Sequence, residues 1–114
     1  MPEAKILSGK DTAQSIYDSL KSRILSLNRK GVNPGLCVIL VGDDPASRIY
    51  VRTKTKKLKS LGLISESILL PEDVKQDRLI KVIDDLNKDS KYQGILVQLP
   101  LPKHINSLKI INAI

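Results

Sequence analysis

Phenylalanine and tryptophan are absent from these 114 residues, and three tyrosines make up the whole aromatic complement. Modules that stack nucleobases on an aromatic platform need more rings than that, so this class is excluded. A single cysteine excludes a disulfide framework and a thiolate-rich metal centre. That residue, Cys37, lies inside the apolar run GLCVILVG and reads as a buried, inert thiol in a reducing compartment. The lone histidine, His104, has no partner at metal-ligand spacing and reads as a residue near a helix start rather than a base. No apolar run approaches the roughly 18 residues of a membrane span. The leading stretch MPEAKILSGKDTAQ also lacks the basic and then apolar layout of a secretory signal. The expectation is a soluble, cytoplasmic protein with no membrane partner.

What is present fits one domain. Hydrophobic residues make up 41% and charged residues 27% of the chain, ordinary for a globular protein. The formal charge of +7 suits an anionic partner but does not choose between nucleic acid, phosphate and a carboxylate-rich small molecule.

The hydrophobic pattern alternates between two periods. Ile16, Leu20, Ile24 and Leu27 recur at helical spacing, with Asp11 or Thr12 as candidate cap and Gly31 as the stop. Leu36 to Val41 is a near-continuous apolar strand, the mark of a strand covered on both faces. A second helix begins after Pro45, with Ala46 or Ser47 near its cap, and ends at Gly62. SESILLPED reads as a second strand closed by Pro71. Leu79, Ile80, Ile83 and Leu86 mark a third helix, Gly94 to Leu99 a third strand, and NSLKIINAI the start of a fourth helix. The order αβαβαβα with short connections predicts an α/β fold of three αβα layers, a parallel sheet with helices on both faces and right-handed crossovers. The last helix is still apolar at Ile114, without a cap or polar tail, and the expectation is that the chain is cut from something longer.

In such a sheet, ligands belong at the carboxyl ends of the strands. The first strand delivers VGDDPAS there and the third delivers VQLPLP. Two residues break the apolar pattern near that edge. At 100° per residue Tyr50, Lys54, Leu58 and Leu61 fall within about 80° of arc, which puts an ammonium in an apolar stripe. Burying an unpaired ammonium is costly. Either Lys54 snorkels to water on a packed stem, or it faces a cleft. Gln98 interrupts ILVQLPLP, either as a strand-end residue or as a buried amide in need of partners. Lysine and glutamine could satisfy each other in one cleft. Tyr50, one turn before Lys54, could pack in the core with its hydroxyl at the edge. The cations of RTKTKKLK leave a second reading open, a basic anion- or nucleic-acid-binding module without catalysis. Lys56, Lys57 and Lys59 spread around the helix as an ordinary solvated surface does.

VGDDPASRIYVRTKTKKLKSLGL and GILVQLPLP, about forty residues apart, together resemble the two signature segments of the bifunctional methylenetetrahydrofolate dehydrogenase/cyclohydrolase family. The resemblance runs through the chain. It implies NADP- or NAD-dependent oxidation of methylenetetrahydrofolate and hydrolysis of the methenyl product to formyltetrahydrofolate. On this resemblance Tyr50, Lys54 and Gln98 are the catalytic residues. Ser47, Leu99, Pro100 and Pro102 join them in binding folate, Ser47 in a supporting role. A neutral Lys54 in a dry pocket would assist water attack on the methenyl carbon, Gln98 would hold the amine, and Tyr50 would offer a face to the substrate's rings.

Residues 1–114 then correspond to the N-terminal catalytic domain. A Rossmann domain is expected to follow, to bind the nicotinamide cofactor and to mediate a homodimer. The chain departs from the family in lacking the D-V-D-G segment that supplies a pterin-binding aspartate, and in lacking any G-x-G-x-x-G loop. Its own GDDP turn carries two acids that would repel a pyrophosphate. No cofactor-binding or metal residue is therefore expected within it, and folate is the expected partner rather than nucleic acid.

Overall fold

The computed structural model describes residues 4–114; the first three residues of the stretch read for a signal lie outside them. The element order is α1 (Gly9–Arg29), β1 (Gly35–Val41), α2 (Pro45–Ser60), β2 (Ile64–Leu70), α3 (Gln76–Asn87), β3 (Gly94–Val97) and α4 (Ser107–Ala113), the alternation read from the sequence. The three strands are parallel in the order β2-β1-β3. β1 is central, as its unbroken apolar run requires. Gly35 to Val41 pair one for one with Ile64 to Leu70, and Leu36 to Ile39 with Gly94 to Val97. Gly94 lies opposite Leu36, and a Cβ there would come within 2.6 Å of the Leu36 Cδ1, so that side chain would have to turn aside.

Side chains of β1 alternate between two apolar layers, as the period of a strand dictates. Cys37, Ile39 and Val41 pack with Leu79, Ile83 and Leu86 of α3 and Ile110 of α4. Val38 and Leu40 pack with Val51 of α2. Helices thus cover both faces of the sheet.

Local chemistry sets the helix ends. The α1 cap is Ser8, upstream of the expected Asp11 or Thr12: its hydroxyl accepts from the Asp11 N–H at 3.2 Å. Asp44 caps α2, ahead of the expected Ala46 or Ser47, with Pro45 in the first turn, where its missing N–H costs nothing. Both helices close on a left-handed glycine. Gly31 (φ 80°) donates to the Asn28 carbonyl and Val32 to that of Leu27. Gly62 (φ 89°) and Leu63 repeat this pairing at Lys59 and Leu58. These are the paired closing bonds of a Schellman motif.

One expectation is only partly met. Of the apolar stripe on α1, Ile24 alone is buried; Ile16 is 54% exposed, and Leu20 and Leu27 are exposed too. The helix is about 31 Å long by its rise per residue. The radius of gyration is 17.3 Å, against about 13 Å for a compact domain of 100 residues.

Candidate functional site

The site lies at the carboxyl ends of β1 and β3, beneath one flank of α2. After Val41 the chain turns through Gly42 (φ 90°) into Asp43 and Asp44. The Asp44 carboxylate accepts from the Ser47 N–H at 3.0 Å and from its hydroxyl at 2.9 Å. Ser47 is buried, and its hydroxyl proton is committed to the cap. These bonds fix the start of α2, with Asp44 as the cap, a residue that the sequence reading did not single out. The Asp-Pro pair, an acidic cap before a first-turn proline, was the available signal.

Two turns along α2, the Lys54 Nζ donates to the Gln98 Oε1 at 2.8 Å. β3 ends at Val97, two residues before the expected Leu99, yet the Gln98 N–H still donates to the Ile39 carbonyl at 2.9 Å, so the backbone of Gln98 continues the ladder. The Gln98 Nε2 donates to the Leu99 carbonyl at 3.1 Å. Both halves of the amide are thereby used. Its orientation follows from chemistry, since an ammonium only donates and must meet the oxygen.

Lys54 is exposed, so the dry pocket expected around it is not formed by this chain alone. The lysine does border a 780 Å³ apolar cavity between α1, α2 and the sheet, with Leu36, Leu58 and Leu96 among its walls. Tyr50 is 59% exposed and presents its ring outward rather than packing in the core.

The loop after Gln98 forms a neighbouring wall. Leu99 is exposed, and Pro100 and Pro102 line a separate 390 Å³ hollow whose other side carries Asp43, Asp44 and Glu72. The structure thus joins Lys54 directly to Gln98, places Tyr50 and Ser47 on the same helix as Lys54, and sets the prolines in a different hollow from the one that Lys54 borders. His104 lies two residues before Asn106, which caps α4, and its Nε2–H donates to the Val74 carbonyl at 2.7 Å.

The other cations lie apart. Arg48, Arg52, Lys56 and Lys59 border a hollow beside β2, on the opposite flank of α2 from Leu58 and Leu61. The Lys57 ammonium sits 3.8 Å from the centre of the Tyr17 ring and ties α1 to α2. Cys37 is fully buried; burial first, then the nearby Glu66 and Asp89 carboxylates, push its thiol pKa up, away from reactivity. Among the described residues no cluster of three or more His, Cys, Asp or Glu side chains could hold a metal ion, and no helix is long and apolar enough to cross a membrane.

The residues also fail to fit a dinucleotide. Among the described residues three glycines have positive φ. Gly31 and Gly62 follow helix C-termini, the wrong end of the dipole for a pyrophosphate. Gly42 does precede a helix start, but beside Asp43, Asp44 and Glu72.

The family model of the tetrahydrofolate dehydrogenase/cyclohydrolase catalytic domain matches residues 7–114. The bifunctional protein FolD of Acetivibrio thermocellus is 50% identical over 112 residues, which cover 98% of this chain and 39% of that protein. The crystal structure of the bifunctional enzyme FolD from Campylobacter jejuni aligns with a TM-score of 0.91 at 42% identity, over 93% of this chain and 38% of that one. The methylenetetrahydrofolate dehydrogenase-cyclohydrolase of Trypanosoma brucei, solved with NADP and an inhibitor, aligns with a TM-score of 0.90 at 36% identity, over 100% of this chain and 39% of that one. The chain spans about two fifths of the length of these relatives.

Proposed function

Since the chain belongs to the tetrahydrofolate dehydrogenase/cyclohydrolase family, we propose that it is the folate-binding catalytic domain of a bifunctional enzyme of one-carbon metabolism. The complete enzyme oxidises 5,10-methylenetetrahydrofolate to the methenyl compound with NADP or NAD and hydrolyses that product to 10-formyltetrahydrofolate. The observation that carries this reading is the Lys54–Gln98 hydrogen bond at the carboxyl edge of the sheet. A hydride acceptor has no fitting site within these residues; it belongs to a following domain, through which the enzyme would dimerise. The lone buried Cys37 suits a cytoplasmic setting.

Hydrolysis asks for a group that takes a proton from water as it attacks the methenyl carbon, which lies between two nitrogens sharing a positive charge. Lys54 is a titratable group bonded into this edge, and Gln98 fixes its nitrogen by accepting a hydrogen bond from it. An amine accepts a proton only when neutral, and a dry site favours a neutral lysine in general. With Lys54 exposed, the water-excluding wall has to arrive with the substrate and the rest of the enzyme. Tyr50, exposed one turn before Lys54, offers its ring to the aromatic parts of the folate. Pro100 and Pro102 shape the adjoining loop, which Leu99 joins to Gln98.

Titration calorimetry with 5-formyltetrahydrofolate, a stable reduced folate, tests the reading on this chain. Binding with weak salt dependence is expected. Silence toward the folate, together with steeply salt-dependent binding of an oligonucleotide, would instead establish the basic module.

A further inference from the structure

The segment between Gln98 and Ile105 has little backbone bonding of its own. Pro100 and Pro102 have no N–H to donate. The hydrogen bonds made within the segment are Gln98 Nε2 to the Leu99 carbonyl and the Ile105 N–H to the Pro102 carbonyl. Its front end is fixed by Gln98 on β1. Its rear end is fixed from a different part of the fold. The His104 Nε2–H donates to the Val74 carbonyl at 2.7 Å, and the Asn106 N–H donates to the Gln76 Oε1 at 2.7 Å. The anchor is itself held: Val74 is buried, and its N–H donates to the Pro71 carbonyl at 3.0 Å. Ile105 between the two bonds is buried in the α3/α4 layer.

From this geometry we infer that His104 and Gln76 are positioning residues for the folate site. They staple the Leu99–Lys103 loop to the β2–α3 connection and so set the proline wall beside the Lys54–Gln98 pair. Neither side chain touches that pair; each acts through the loop. The inference rests on the folate reading above. It differs from an ordinary packing role because the cost of its loss falls on binding: a released loop must be ordered again each time substrate arrives.

The test is titration calorimetry of 5-formyltetrahydrofolate into wild type, His104→Ala, His104→Gln and Gln76→Ala, each carried in a chain of the relatives' length and each well below its melting temperature. Loss of one hydrogen bond, part-buried at His104 and exposed at Gln76, should weaken binding by about 3- to 10-fold in His104→Ala and by the lower end of that range in Gln76→Ala. A glutamine places an amide N–H near the position of the imidazole Nε2, so His104→Gln should bind like the wild type. Equal affinities for wild type and His104→Ala would overturn the proposal, whatever happens to melting. Failure of His104→Gln to restore binding would also overturn it and assign the loss to packing of the ring. A wild-type chain that binds no folate, by contrast, would remove the folate reading itself.

Discussion

Replacing Lys54 by methionine separates the chemistry of this edge from its stability. The substitution keeps an unbranched stem and a similar volume, so packing against Leu58 and Leu96 should persist. What is lost is one 2.8 Å hydrogen bond from an exposed ammonium to the half-buried Gln98. Water can replace the amine at the Gln98 oxygen, which limits the stability change to less than about 1 kcal/mol, or about 5 °C in melting temperature for a domain of this size. A positioned proton-transfer group contributes about 10²- to 10⁴-fold to rate, equivalent to about 2.7–5.5 kcal/mol of barrier. The two effects therefore differ enough to be told apart. The assay is decay of 5,10-methenyltetrahydrofolate absorbance, with this domain carried in a chain of the relatives' length and thermal melts run in parallel. Lys56→Met is the control, because Lys56 lies on the flank of α2 beside β2. Lys57 would be a poor one, since its ammonium holds the Tyr17 ring. Equal, mild losses of turnover in Lys54→Met and Lys56→Met would refute the catalytic assignment.

Titration of the 114-residue chain with NADP or NAD should show no micromolar binding; heats that fit a micromolar constant would contradict the absence of a phosphate cradle beside Gly42. Ile83, on α3 and fully buried in the layer it shares with Cys37 and Ile39 of β1, should cost about 2–5 kcal/mol when cut to alanine, read as a lower urea midpoint. Hydrogen bonds from Lys91 and Tyr92 hold the Glu66 carboxyl below the usual carboxylate range. A lowered folded-state value means that its contribution is present above the unfolded carboxyl's pKa and disappears as pH falls through the lowered one. The stability gap between wild type and Glu66→Gln should accordingly narrow in urea titrations as pH falls from the unfolded carboxyl's pKa through the lowered one. A gap that widened with acid would show the sign to be wrong. At the alkaline end Glu66 raises the Tyr92 phenol pKa, so the same contact weakens only as pH climbs through that raised value.

The part of this protein legible in its sequence is the part governed by local periodicity. The apolar run of β1 and the spacing of Leu79, Ile83 and Leu86 announced a buried central strand and an amphipathic helix, because burial on both faces or on one stripe leaves a mark in the residues themselves. Gly31 and Gly62 announced helix ends, because few other residues adopt their backbone angles. Lys54 and Gln98 were visible as polar breaks in apolar patterns. That they meet is a tertiary fact: 44 residues separate them in sequence, and only the parallel pairing of β3 with β1 brings the strand end beneath α2.

Other features depended wholly on what surrounds each residue. The stripe on α1 reads as a core face, yet Ile16, Leu20 and Leu27 find too little to pack against in this chain and stay exposed. The resemblance implies a dry pocket around Lys54, yet the side chain is open to water as a snorkelling lysine is, because exclusion of solvent takes walls from several elements rather than a pattern in one. His104 carried no local signal for its bond to Val74, since the carbonyl it meets lies 30 residues earlier. Sequence determined which segments are strands and helices and which residues could do chemistry. The tertiary fold decided which of those residues meet, how wet they are and what holds the loop beside them, because contact, solvent exclusion and positioning are properties of neighbours in space.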